Sequence, residues 1–319
     1  MRSDDWRVRV GAVLLGAAIL VLCSCGDNPD EPEPWPDGAL FYVGWTGCSD
    51  SSLAFSPYGN VLLFTGTHVP TTAPDVFGFD GLSNPLQLTS SVHDESTGPN
   101  GCWHPDVGSL GRVVYVAVID DSTSEIRTTP GNLNGPKVAL ADSLPHLHPT
   151  WMPDASGMLF STFHNGHWAL FTGVYDPDTY LLDSTQVFYE PGLDCLRASY
   201  SPDGGSILYQ QSDGSGGWDI WIMGADGSDP HAVISGSSMD IHPCWGPDGD
   251  WFAFSSDRTG QYEVYIAPVS GDTLIPVTGD PADDLYAAWN PDGDWIAFVS
   301  DRESGDGTLD IFSIDVPQH

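Results

Sequence analysis

Histidines beside carboxylates are the residues in this chain whose types could do chemistry. His68, His93, His146, His148, His164, His167 and His242 all fall in or next to loop-like stretches between apolar runs. Imidazole and carboxylate together suit a divalent cation such as zinc or manganese. Four of these histidines crowd between 146 and 167, and His242 follows Asp240 by two residues. His146, His148, His164, His167 and His242 are therefore the candidate metal set, although their spacing matches no recognised ligand motif. Other chemistries find less support. There is no G-x-S-x-G nucleophile elbow. Ser212-Asp213-Gly214-Ser215-Gly216-Gly217 reads as a flexible connection rather than a phosphate cradle. Asp226-Gly227-Ser228-Asp229 lacks the alternating ligands of an EF-hand and reads as a hairpin turn. No catalytic residue is assigned, and no cofactor is expected beyond a possible divalent cation.

The elements that must position these residues repeat. HPCWGPDGDWFAFSSDRTGQYEVYIA, beginning at His242, and AAWNPDGDWIAFVSDRESGDGTLDIFSI, beginning at Ala287, are two copies of one three-strand phrase. Anchored on a turn proline, the phrase recurs at Pro57, Pro105, Pro153, Pro202, Pro247 and Pro291, at intervals of 48, 48, 49, 45 and 44 residues. An aromatic stands two places before each proline: Phe55, Trp103, Trp151, Tyr200, Trp245 and Trp289. Seven places after stand Phe64, Phe160, Tyr209, Phe254 and Phe298, with Tyr115 displaced by three in the second copy. Such self-similarity predicts an array of small sheets. A fourth strand closes each unit except the last, and Ala39 to Val43, ahead of the first unit, is its obvious donor. The expectation is all-β: a six-bladed propeller of four-stranded antiparallel blades, closed by an N-terminal strand completing the last blade.

That arrangement puts the seven histidines on the face opposite the Pro-Asp-Gly turns. Five places before each proline lie Ser52, Asn100, His148, Arg197, His242 and Tyr286, the expected rim of a central channel. Asp50, Asp240 and Asp284 stand two places further out, with His146, Gly98 and Cys195 in the same register. A polar rim of mixed charge makes a reasonable ligand mouth.

Composition limits the partners. Forty-four acidic residues against nine basic ones give a net charge of −35, which repels nucleic acid and anionic headgroups. Residues 1–24 read as a signal peptide: Arg2, Arg7 and Arg9 precede an apolar run from Val10 to Leu22, too short for a comfortable membrane span. Leu22-Cys23-Ser24-Cys25 resembles a bacterial lipobox, which implies lipidation at Cys25, an outer-membrane anchor and a cell-envelope location. An ordinary secretory signal is the alternative. Residues 25–37 form an acidic, proline-rich tether, and residues 38–319 form the propeller.

The two phrases quoted above resemble the repeat of TolB-type propellers, also found in tricorn-like and prolyl-oligopeptidase-like peptidases. The resemblance extends over nearly all of the chain after Gly38. It implies a scaffold that binds a protein or peptide at one face or in the channel, and the expected function is a monomeric, non-catalytic binding module for an envelope protein or peptide. Propeller-fold oligogalacturonate lyases are similar in using histidine-held metal, so a metal-dependent polysaccharide lyase is the alternative. Four cysteines remain beyond the signal segment. Cys102 and Cys244 occupy the same repeat position, while Cys48 and Cys195 lie in entry loops one unit earlier. Disulfides Cys48–Cys102 and Cys195–Cys244 are the expected pairing.

Overall fold

The computed structural model describes residues 137–302 and 308–317 and, upstream, the strands and a few flanking positions between 12 and 129. A short hairpin pairs β1 (Ala12–Leu15) with β2 (Ala18–Val21). After β3 (Leu40–Val43), the described strands group into six four-stranded antiparallel sheets. The first contains β4 (Asp50–Phe55), β5 (Leu62–Gly66), β6 (Asp75–Phe79) and β7 (Leu86–Gln87). The second contains β8 (Cys102–Val107), β9 (Val113–Val118), β10 (Ser124–Thr129) and β11 (Lys137–Leu140). The third contains β12 (His146–Trp151), β13 (Gly157–His164), β14 (His167–Tyr175) and β15 (Leu182–Tyr189). The fourth contains β16 (Cys195–Tyr200), β17 (Ser206–Ser212), β18 (Trp218–Gly224) and β19 (His231–Ile234). The fifth contains β20 (Asp240–Trp245), β21 (Trp251–Ser256), β22 (Glu263–Pro268) and β23 (Ile275–Pro276). The last contains β24 (Asp284–Trp289), β25 (Trp295–Ser300) and β26 (Asp310–Asp315), with β3 as its outer strand. Ile311 faces Val43 and Phe312 faces Phe41 in that final pairing.

The first strand of every sheet touches the first strand of the next, and β24 touches β4, so the sheets close into a ring. Second strands are covered on both faces, which is why they read as continuous apolar runs rather than alternating ones. Leu62, Val114, Leu159, Leu208, Phe252 and Ile296 are all fully buried. Each neighbouring pair of sheets shares one apolar cluster. The last of these around the circle joins Ala297, Val299 and Ile311 to Leu62, Phe64 and Phe77. Trp245 Nε1 donates to the Ser199 carbonyl at 3.1 Å, tying the fifth sheet to the fourth by a polar link as well.

The turn reading holds where Pro-Asp-Gly is complete: Gly204, Gly249 and Gly293 take φ of 73°, 76° and 83°, the left-handed position that glycine enters without strain. It fails in the second sheet. Pro105 lies inside β8 rather than in a turn, and the pairing of β8 with β9 shifts between Trp103 and Asp106. The corresponding shifts fall between Leu147 and Thr150, and between Ile241 and Cys244. His104-Pro105 is thus the counterpart of His148-Pro149 and His242-Pro243, four places from the expected alignment. The hairpin after it is one residue shorter, because Val107 faces Val113 whereas Trp151 faces Met158. Those two offsets together account for the three-place displacement of Tyr115, with no inserted residues. The uniform repeat interval is corrected accordingly.

Candidate functional site

The first strand of each sheet carries one extra residue relative to its partner. Register shifts fall between Ser51 and Ala54, Trp103 and Asp106, Leu147 and Thr150, Leu196 and Ser199, Ile241 and Cys244, and Leu285 and Ala288. A bulge of this kind bends the strand and re-aims a side chain. In the four sheets from the third onward the bulged residue is left-handed: His148, Arg197, His242 and Tyr286 have φ of 50°, 54°, 56° and 55°. None is glycine or asparagine, so each carries backbone strain on the order of 1 kcal/mol or more. Ser52 holds the same register in β4, and in the second sheet that register belongs to His104. Asn100 lies outside the described residues.

Beyond the bulge the period-two alternation no longer applies, and residues two places earlier point elsewhere. His146, Cys195, Asp240 and Asp284 are all buried, so the expected outer ring of rim residues is corrected: these are internal positions. Asp50 holds the same register in β4. Asp240 pairs with Arg258 at 2.8 Å and Asp284 with Arg302 at 2.7 Å. Both arginines come from a Ser-Asp-Arg loop that repeats its bonding. Arg258 Nε donates to Ser256 Oγ and Arg302 Nε to Ser300 Oγ, while Asp257 and Asp301 accept backbone N–H bonds from Met239 and Asp283. Each guanidinium lies over two aromatic rings, Phe254 and Tyr265 for Arg258, Phe298 and Phe312 for Arg302. Burial pushes the Asp284 carboxyl up to about 7, against the opposing pull of Arg302.

In the third sheet His146 fills the equivalent place, with Thr162 Oγ1 and Asp142 Oδ1 each 3.0 Å from its ring nitrogens. Burial pushes its pKa below the ordinary 6.5, and Asp142 offsets this only in part. In the fourth sheet Cys195 takes that place, its Sγ 3.5 Å from Gln211 Oε1, and burial pushes the thiol up.

The candidate metal histidines do not converge. His146 is enclosed within its sheet and His148 sits at the bulge. His164 packs edge-on to Phe171 at 5.5 Å, and His167 lies 3.2 Å from Glu190, both at the β13–β14 hairpin tip. His242 belongs to the fifth sheet. Among the described residues no three His, Cys, Asp or Glu side chains are placed to hold a metal ion.

What the structure does bring together is Arg197, His242 and Tyr286, from three successive sheets. The His242 and Tyr286 rings stack at 4.0 Å and 14°. The Arg197 guanidinium lies 5.0 Å from the Tyr286 ring centroid, and desolvation pushes its pKa down to about 10. The His242 backbone N–H donates to Gln210 Oε1 at 2.9 Å, fixing the bulge against the fourth sheet.

Cys195 and Cys244 are free thiols, which corrects the expected disulfide between them. Cys195 begins β16, whereas Cys244 lies four places further along β20, past the bulge. That offset amounts to roughly 13 Å of strand, beyond the reach of a disulfide. The counterpart of Cys195 in the second sheet is Cys102, not Cys244. Cys48 lies outside the described residues, as do Cys25 and the tether.

No family model matches the chain. Over 125 residues, 39% of its length, it is 30% identical to the Tol-Pal system protein TolB of Anaeromyxobacter dehalogenans (strain 2CP-C), and the match covers 27% of that protein. The chain therefore spans about a quarter of the curated relative's length. The match in sequence is confined to this stretch, 39% of the chain, whereas the likeness in fold extends over most of it. Among solved structures it is similar to TolB from Acinetobacter baumannii, with a TM-score of 0.61 and 15% identity over 75% of this chain and 56% of the other. It is also similar to an oligogalacturonate lyase in complex with manganese, with a TM-score of 0.55 and 14% identity over 91% of this chain and 96% of the lyase. The likeness to solved structures is one of fold.

Proposed function

We propose that this chain is a cell-envelope protein whose ring binds a protein or peptide partner, without catalysis, at the mouth formed by the bulged first strands. One observation carries this reading. Four of the six bulges present a large polar or aromatic residue in a strained, left-handed conformation, and three of those side chains engage one another. Backbone strain of this kind clusters at ligand-binding sites. The sequence match to TolB agrees with an envelope partner, and the lipobox-like Leu22-Cys23-Ser24-Cys25 agrees with anchoring through Cys25 at the outer membrane. The chain acts as a monomer in this reading, with no nucleic-acid partner. The lyase reading finds no observation in its favour, since a shared ring of sheets does not carry an activity with it and the histidines lie apart.

A photo-crosslinking residue placed at Tyr286 in the full chain, expressed in its own envelope, tests the proposal. It should capture a defined protein, whereas the same residue at the exposed outer-strand position Ser184 should not. Equal capture at both positions, or none at either, would sink the reading.

A further inference from the structure

We propose that Arg197 is the anchor for a free carboxylate of a peptide that enters the channel mouth and lies against the His242–Tyr286 stack. The inference rests on the binding reading above and adds the chemistry that the site would recognise. Five arginines fall among the described residues. Arg127, Arg258 and Arg302 pair with Glu125, Asp240 and Asp284, as expected in so acidic a chain. Arg112 lies 5.5 Å from the Tyr175 ring centroid in the third sheet. Arg197 is the one placed at the bulge register. Among the described residues its contact is the face of Tyr286, and no carboxylate or hydrogen-bond acceptor meets its guanidinium.

A desolvated guanidinium with only an aromatic face beside it retains its fork of donors, which match a carboxylate in two parallel hydrogen bonds. A half-buried, desolvated cation without a counter-ion carries a desolvation cost that an arriving anion relieves. The stacked His242 and Tyr286 rings hold the charged group in place and put ring edges beside it for the ligand to meet. One cation in a molecule of net charge −35 suits one carboxylate at a time. A polymer with a carboxylate on every unit would meet the repulsion of the whole surface. The ligand class is therefore a peptide with a single presented carboxylate.

The test uses the full chain and small probes. The Arg197 Nε–Hε NMR resonance, assigned by its loss in R197K, is followed during titration with N-acetylphenylalanine and with its neutral amide. The acid should give a saturable shift and the amide none. R197K should weaken binding of the acid at least tenfold, read by competition or calorimetry, because ammonium keeps the charge without the fork; R197Q should abolish it. Equal response to acid and amide, equal affinity in R197K, or equal response to galacturonate would overturn the proposal. If R197Q fails to fold, as judged by its melting curve, R197K alone decides. Failure here is distinguishable from failure of the partner reading. Crosslinking at Tyr286 that persists in R197Q removes the anchor and keeps the partner. Binding of the acid without crosslinking in the otherwise wild-type chain supports the anchor and removes the partner.

Discussion

His146 and Asp284 stand at the same place in their sheets, the first residue of a strand two places before a bulge, and they meet burial in opposite ways. The third sheet keeps a neutral group there and satisfies it with Thr162 and a half-exposed Asp142. The last sheet puts an acid there and sets Arg302 against it, with both side chains at 0% exposure. The fifth sheet repeats the ionic solution more loosely, since Arg258 keeps 23% of its surface. One backbone position therefore tolerates either a hydrogen-bonded neutral group or a full ion pair. The choice governs how the sheet responds to substitution and to pH.

The largest expected effect comes from breaking the tighter pair. D284A should destabilise the protein by about 3–5 kcal/mol, because Arg302 is left charged and buried without its partner. Urea denaturation checks this, and a loss below about 1 kcal/mol would mean that the two ionic sheets do not depend on their pairs. D240A should cost less, about 2 kcal/mol, because Arg258 can turn toward water. If D240A matched or exceeded D284A, exposure would not be what separates the fifth sheet from the last.

The pH dependences of the two contrasting positions should run in opposite directions. His146 has its pKa lowered from 6.5 by burial, so the unfolded chain takes the proton first. Its contribution is complete above pH 6.5 and drains away as pH falls toward the lower folded value. Asp284 is raised from 3.8 to about 7, so the unfolded chain releases the proton first. Its contribution is complete below pH 3.8 and drains away as pH rises toward 7. Melting temperatures from pH 4 to 8 should show H146N flattening the acid-side loss and D284N flattening the opposite one. Profiles parallel to wild type in both variants would contradict these assignments. The smallest effect belongs to the fourth sheet, where C195A with C244A should change stability by about 1 kcal/mol or less. A loss of several kcal/mol, together with sensitivity of the wild type to reductant that the double variant lacks, would restore a bridge between them.

Much of the strand order was legible because the second strands are covered on both faces and must be apolar throughout. The complete Pro-Asp-Gly turns fix where those strands begin. The pairing of residues 40–43 with the last sheet followed from an apolar segment with no partner of its own. The register of the second sheet was misread because a proline in a His-Pro bulge resembles a proline in a turn. The recurrence of His-Pro at 104, 148 and 242 was the signal that could have separated them. The burial of Asp240 and Asp284 was hidden because alternation carried across a bulge assigns the wrong face. Their Ser-Asp-Arg loops, each supplying a cation, pointed inward. Nothing in the sequence marks Arg197 and Tyr286 as left-handed, since bulky side chains are rare in that conformation.

The pairing of β3 with β26 has a consequence for how the molecule comes to be. The two halves of that contact are about 270 residues apart, and loops of that span make for slow, non-local folding. β3 has no place to dock until the final hairpin exists, so the ring remains an open arc until β26 has been made. An incomplete chain would expose two unprotected sheet margins at once.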